Sequence, residues 1–243
     1  MKSLLKDELA LRHIPRFHIV EGVLTDEVIN ELIQMCDDVY HDGKQRNTTN
    51  PVRWSGFENH GKDYDSALVG RMDTPKSKQL QINPKHPMVQ NLVHVLIEAT
   101  NQYVGAFREF GGGVMLGSGL SEKFDIHIDD MWTVHQYEGD YNPIHFHSSN
   151  YHSTLSGFLH LKVPEQIPKG YFDEKKLDGI TELLWDTSTA DYMRQFIYNG
   201  NQHHVPYPGL FAVFPSWLNH VVYPFKGPGE RLSMSWNIGI NYK

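Results

Sequence analysis

Cysteine is nearly absent from this chain of 243 residues, with Cys36 standing alone. That excludes a disulfide framework and every zinc or iron–sulfur site built on several thiolates, and it suits a reducing compartment. A basic surplus is missing too. Lys and Arg number 22 against 29 Asp and Glu, a net charge of −7, and no basic run gathers the cations that a phosphate backbone demands. Nucleic acid is therefore not an expected partner. No stretch reaches the roughly 18 apolar residues of a membrane span. The first 17 residues, broken by Lys2, Lys6, Asp7 and Glu8, lack the apolar core of a secretory signal. The expectation is a cytoplasmic globular protein without a membrane partner, of unknown oligomeric state. HExxH is absent as well, which counts against a zinc hydrolase of that type.

What is abundant is aromatic and imidazole chemistry. Twelve Phe, 12 Tyr and 5 Trp within a 40% hydrophobic chain can fill a sizeable core. Fifteen His stand beside the 22 Lys and Arg, so imidazole makes up about two fifths of the potentially cationic side chains. A metal site is one account of that surplus.

The amino-terminal half predicts helices and few strands. The run IPRFHIV at 14–20 predicts a strand that Gly22 ends. Thr25 then predicts an N-cap for a helix whose apolar face holds Val28, Ile29, Leu32, Ile33 and Met35. Residues 41–85 predict irregular loops with at most one strand. Pro87 suits a helix start, and Val89, Leu92, Val93, Val95, Leu96 and Ala99 give residues 88–107 a broad apolar face.

Beyond residue 113 the period changes to two. Strands are predicted at 132–137, 144–147, 155–163, 210–214, 220–223 and 231–240, separated by Gly, Pro and Asn turns. Short strands after helices predict an antiparallel sandwich or barrel with helices outside it. The stretch 164–208 is too long for a simple connection. Leu177, Ile180, Leu183 and Leu184, and again residues 192–197, carry a helical signal there, so it predicts an insertion and a substrate-selecting lid.

His145 and His147 flank Phe146 on a predicted strand, where residues two apart share a face. His220 follows another apolar strand and its turn. Arg231 and Ser233 then share one face of the next strand, an arrangement suited to holding a carboxylate by a forked pair and one further hydrogen bond.

Four stretches, YEGDYNPIHFH at 137–147, LSGFLHL at 155–161, GLFAVFPSWLNH at 209–220 and ERLSMSWN at 230–237, resemble the iron(II)- and 2-oxoglutarate-dependent dioxygenases. The resemblance is narrower to the prolyl-4-hydroxylase-like group with its phage and bacterial members. It implies a mostly β fold with flanking helices and a double-stranded β-helix core of jelly-roll or cupin-like type. On that reading residues 1–243 form a single domain. Residues 1–112 support a core at 130–240, which residues 164–208 interrupt. The resemblance further implies that His145 and His220 ligate Fe(II), that Arg231 and Ser233 bind the distal carboxylate of 2-oxoglutarate, and that Tyr137 adds a hydrogen bond to it. The activity implied is an oxygenase that consumes O2 and 2-oxoglutarate, releases succinate and CO2, and hydroxylates an unknown substrate, by analogy a prolyl or other peptide residue.

One position departs from the family. Most members carry His-x-Asp or His-x-Glu, whereas His147 stands where the carboxylate belongs. Either His147 ligates, or a nearby acid such as Asp140 supplies an oxygen, or water fills the place. The first is favoured because imidazole also suits iron and the strand aims it correctly. A literal His-x-Asp exists at His127 and Asp129, without the surrounding motif. Of the other histidines, His160 reads as a core residue or a support behind the site, His152 as a loop residue, and His135 as a strand residue sharing a face with Tyr137. His203 and His204 read as a pocket rim or a cap of the insertion. The alternatives to an oxygenase are a cupin-like metal-binding isomerase and a non-catalytic binding module; Arg231 and Ser233 favour the oxygenase.

Overall fold

The computed structural model describes residues 3–14, 17–42, 76–110, 123–147, 153–167, 177–185 and 200–243. In chain order the elements are β1 (Ala10–Ile14), β2 (Phe17–Val23), α1 (Asp26–Asp42), β3 (Lys78–Gln81), α2 (Gln90–Phe110) after a 3₁₀ turn (Pro87–Val89), β4 (Phe124–Gln136) and β5 (Asn142–His145). They continue with β6 (Ser153–Lys162), β7 (Thr181–Leu184), β8 (Asn201–His204), β9 (Leu210–Pro215), β10 (Asn219–Val222) and β11 (Arg231–Tyr242). Among the described residues all pairings are antiparallel. A seven-stranded sheet runs β1-β2-β9-β6-β11-β4-β3, and a four-stranded sheet runs β5-β10-β7-β8. Two antiparallel sheets with helices on one of them form the mostly β, double-stranded β-helix architecture.

Strand alternation divides the large sheet into two faces. Leu155, Leu159 and Leu161 of β6, with Leu232, Met234, Trp236 and Ile238 of β11, join the main apolar core. The helices supply the other side of that core through Leu32, Met35 and Val39 of α1 and Leu92, Leu96 and Tyr103 of α2. Full burial of each such side chain stabilises by about 1.5–3 kcal/mol. The intervening residues of the same strands face the small sheet. A second apolar cluster lies there, with Phe158, Ala212 and Phe214 of the large sheet against Leu183 of the small one.

Local chemistry explains most boundaries. The Ile29 amide donates to the Thr25 carbonyl at 3.0 Å, closing the first turn of α1, and Asp26 and Glu27 suit the positive end of its dipole. Pro87 opens the 3₁₀ turn, where the His86 side chain accepts from the Met88 amide. The expected strand at 14–20 is instead a hairpin of β1 and β2, and Gly22 does not end it. A Cβ at Gly22 would collide with the Phe211 ring of β9 and with Leu9, so this glycine serves close strand packing rather than a turn.

The helical reading around Leu177, Ile180, Leu183 and Leu184 is corrected. Thr181–Leu184 is strand β7, paired with β10 on one side and β8 on the other. Four apolar positions in so short a window fit either period, and Gly179, at φ +69°, interrupts any helix just before them. The stretch 164–208 thus supplies two strands of the small sheet. Its remaining parts, 168–176 and 186–199, lie outside the described residues, as do the helical signal at 192–197 and His152. Among the described residues no helix is long and apolar enough to cross a membrane.

Candidate metal centre

Three histidines meet between the two sheets. His145 ends β5 and pairs across to His220 of β10. His147 lies two residues past β5, held by its amide donating to the Ser216 carbonyl at 2.9 Å. The ring centroids stand 4.1 Å apart for His145 and His220, 4.9 Å for His147 and His220, and 5.4 Å for His145 and His147. One ligand atom from each lies within 4.8 Å of the others, and among the described residues no other three His, Cys, Asp or Glu gather in this way.

The hydrogen bonds behind the rings fix their tautomers. Nδ1 of His145 donates to the Pro143 carbonyl at 2.7 Å, and Nδ1 of His220 donates to the Leu218 carbonyl at 3.1 Å. Nδ1 of His147 donates to Oδ1 of Asn237 at 2.6 Å. A carbonyl oxygen only accepts, so each Nδ1 carries the proton and each Nε2 keeps its lone pair. Burial favours the neutral form of all three. It pushes His145 below the ordinary histidine value and His147 down to about 4, the latter against the opposing hydrogen bond to Asn237. His220 falls well below that value, through burial first and then the neighbouring His145 and His147. Neutral imidazoles with free Nε2 atoms are the form that binds a cation.

These histidines line a cavity of about 370 Å³ that also includes Arg231, Ser233, Gln136 and His160. That size suits a small organic ligand. Arg231 is 1% exposed. It gives Nε and Nη2 to Oε1 of Gln136 at 3.1 and 2.5 Å, and Nη1 to the carbonyls of Gly179 and Tyr223 at 2.8 and 3.1 Å. Among the described residues no carboxylate forms an ion pair with it. Burial pulls its pKa down to about 9, against the charge of Asp140. A buried cation with only neutral partners is costly, and an anion entering the cavity relieves that cost. His160 adds to the polarity: neither ring nitrogen has a hydrogen-bond partner among the described residues, and burial, then Arg231 and His204, lower it to about 3.

Residues 130–237 match the family described as "Putative 2OG-Fe(II) oxygenase". The fold is similar over 93% of this chain and 94% of a prolyl-4-hydroxylase from Pseudomonas putida, at 14% identity and a TM-score of 0.50. Residues 130–237 are thus similar to the iron(II)- and 2-oxoglutarate-dependent oxygenases. Also similar are AviO1 from Streptomyces viridochromogenes (12% identity, 92% and 90% of the two chains, TM-score 0.50) and SnoK, a non-heme alpha ketoglutarate dependent carbocyclase from nogalamycin biosynthesis. For SnoK the identity is 12%, the coverage 93% of this chain and 81% of that one, and the TM-score 0.51. No curated protein matches the chain by sequence. The matched family is by its description one of oxygenases that use Fe(II) and 2-oxoglutarate.

Within this fold, His145, His147, His220, Arg231 and Ser233 come together in one cavity. Tyr137 does not. Its hydroxyl donates to Oε1 of Glu230 at 3.2 Å, and it is not among the cavity residues. Parity is the reason: Trp132, Val134 and Gln136 of β4 face the cavity, so the odd positions turn toward the helices. His135 follows the same rule, contacting Glu230 at 2.8 Å with its ring against Tyr40. Gln136, the residue that touches Arg231, lies on the cavity face by the same alternation.

Asp140, Asp129 and the histidines at 127, 203 and 204 have structural partners. Asp140 accepts from the Ser77 hydroxyl and from the Tyr137 amide, closing the turn before β5, and stands outside the three-histidine group. His127 Nε2 lies 2.7 Å from Asp129 Oδ1, and this pair covers Gly239 of β11. His203 and His204 sit on β8, paired with Glu182 at 3.1 Å and Glu21 at 3.0 Å.

Proposed function

We propose that this oxygenase binds Fe(II) through His145, His147 and His220 and holds the distal carboxylate of 2-oxoglutarate with Arg231 and Ser233, hydroxylating a peptide residue with release of succinate and CO2. The observation carrying this reading is the pairing, in one cavity, of three Nε2 lone pairs with a buried guanidinium that has no carboxylate partner among the described residues. The chelated metal supplies the activation of O2, coupled to oxidative decarboxylation of 2-oxoglutarate.

The protein's own contributions follow from its groups. Neutral histidines accept the cation without first losing a proton, and three ligands on one side leave positions for cosubstrate and O2. The carboxylate meets Arg231, whose orientation Gln136 and two backbone carbonyls fix in advance, so little ordering remains to be done on binding. Ser233 can donate one further hydrogen bond, and the neutral ring of His160 has an N–H for the same anion. Phe158 and Phe214 line the cavity between the sheets and keep its inner wall dry. Phe146, in the cavity lining, and Trp217 are each 55% exposed. Ser216 bonds the His147 amide, so the two aromatics flank the metal group. Exposed aromatics beside a polar centre suit an apolar or prolyl residue of a peptide, in keeping with the fold shared with the P. putida prolyl-4-hydroxylase.

Anaerobic addition of Fe(II) and 2-oxoglutarate to the apoprotein tests the reading. A weak visible charge-transfer band of the chelate is expected. Iron binding without that band would contradict it and favour the cupin-like isomerase or binding-module alternatives.

A further inference from the structure

Two of the three histidines are braced by the main chain and one is not. His145 and His220 each donate Nδ1–H to the backbone carbonyl two residues earlier. His147 relies on a side chain, Asn237 of β11, at 2.6 Å. Asn237 is itself buried, at 6% exposure, and its Oδ1 also accepts from the Ser156 hydroxyl of β6 at 2.8 Å. Directly across the strands from Asn237 stands Asp130, whose carboxyl burial pushes above its ordinary value while the Asn237 side chain draws it back down. A carboxylate accepts, so Nδ2 faces Asp130 and Oδ1 faces His147.

The strand geometry that brings Asp130 there is a local irregularity. Down β4 and β11 the partners are Trp236 with Met131 and Asn237 with Asp130, but then Ile238 with Ile128. Asp129 is the extra residue. This bulge allows Ile128 and Met131, three apart, both to reach the helix-side core, while Asp130 turns toward Asn237. Bulges near a site commonly re-aim a side chain in this way.

We propose that Asn237 and Asp130 are positioning residues for His147, locking its tautomer and relaying a carboxylate's negative charge to a centre whose three ligands are all neutral. The chain then reads Asp130 carboxylate, Asn237 amide, His147 imidazole, metal. Most of the family places a carboxylate directly in the ligand set; here it stands one amide and one imidazole away. This rests on the reading of His147 as a ligand. Outer partners of metal-bound histidines fix ring orientation and raise basicity, and their loss typically weakens metal binding about 10- to 100-fold.

The test uses the full chain, with Co(II) alone as probe, and two readouts. Calorimetry gives the metal affinity, and 15N NMR of the metal-free protein gives the His147 tautomer. Asn237→Ala is expected to weaken Co(II) binding by about 10- to 100-fold and to release His147 from a single Nδ1–H tautomer. Asp130→Asn should fall between wild type and that variant. The exchanged pair, Asp130→Asn with Asn237→Asp, keeps both hydrogen bonds and the charge, so it should restore affinity to at least the wild-type level. It also keeps the proposal testable if Asn237→Ala does not fold. Wild-type affinity and an unchanged tautomer in Asn237→Ala, with affinity lost in His147→Ala, would overturn the positioning role while leaving the ligand reading intact. Undiminished Co(II) binding in His147→Ala would overturn the ligand reading itself.

Discussion

Arg231, Leu232 and Ser233 are consecutive on one strand and belong to different parts of the protein. Leu232 is fully buried in the core beneath the helices, whereas Arg231 and Ser233 open onto the cavity between the sheets. The same division runs along β6, with Leu159 and Leu161 against the helices and Ser156 and His160 toward the cavity. One face of the large sheet supplies stability through apolar burial. The other carries a buried cation and the His160 ring nitrogens, which have no hydrogen-bond partner among the described residues, and it faces three neutral histidines held by the small sheet and the chain just past β5; these are costs to the fold that a bound cation and anion can offset. Chemistry and stability are thus interleaved at a period of two.

Substitutions one residue apart should therefore separate stability from ligand binding. Leu232→Ala should cost about 2–5 kcal/mol of unfolding free energy, read by denaturant titration, while the folded fraction keeps its affinity for 2-oxoglutarate. A large loss of affinity in folded Leu232→Ala would mean that the faces are not independent.

Acid should act on the helix-facing side. Burial works against the charge of Glu230, but hydrogen bonds and charge from His135 and Lys162 win and hold its pKa near 2, below the usual 4.5. A depressed carboxylate stabilises fully above its unfolded value and loses that stabilisation as pH falls through the folded one. Stability should accordingly decline between about pH 4.5 and 2, by on the order of 3 kcal/mol. Glu230→Gln should flatten that limb of the pH–stability curve; an unchanged limb would move the acid sensitivity elsewhere.

The smallest of the three effects lies on the cavity face. Arg231→Lys keeps the charge and loses the fork, so 2-oxoglutarate binding should weaken by about 1.5–3 kcal/mol, with the melting temperature moving much less than in Leu232→Ala. Equal losses of stability in the two variants would erase the distinction between the faces.

The same period explains what could be read from the sequence. His145 and His147 sharing a side, and Arg231 sharing one with Ser233, followed from spacing alone. Which side faces the cavity does not follow from spacing, and so the expected role of Tyr137 beside the cosubstrate falls to the position that Gln136 holds. His160 and Asn237 owe their surroundings to cross-strand neighbours, Ser233 beside His160 and Asp130 beside Asn237, and pairings of that separation leave no local trace. The apolar spacing of β7 fits a helix as well, and pairing with β8 and β10, not its own residues, makes it a strand.

Anomalous scattering at the metal edge, from crystals grown with Fe(II) and 2-oxoglutarate without oxygen, tests the central claim most directly. The account predicts one peak with Nε2 of His145, His147 and His220 each at about 2.0–2.2 Å, and the cosubstrate carboxylate against Arg231. A peak that lacks the His147 nitrogen, or one seated at His127 and Asp129 instead, would contradict it.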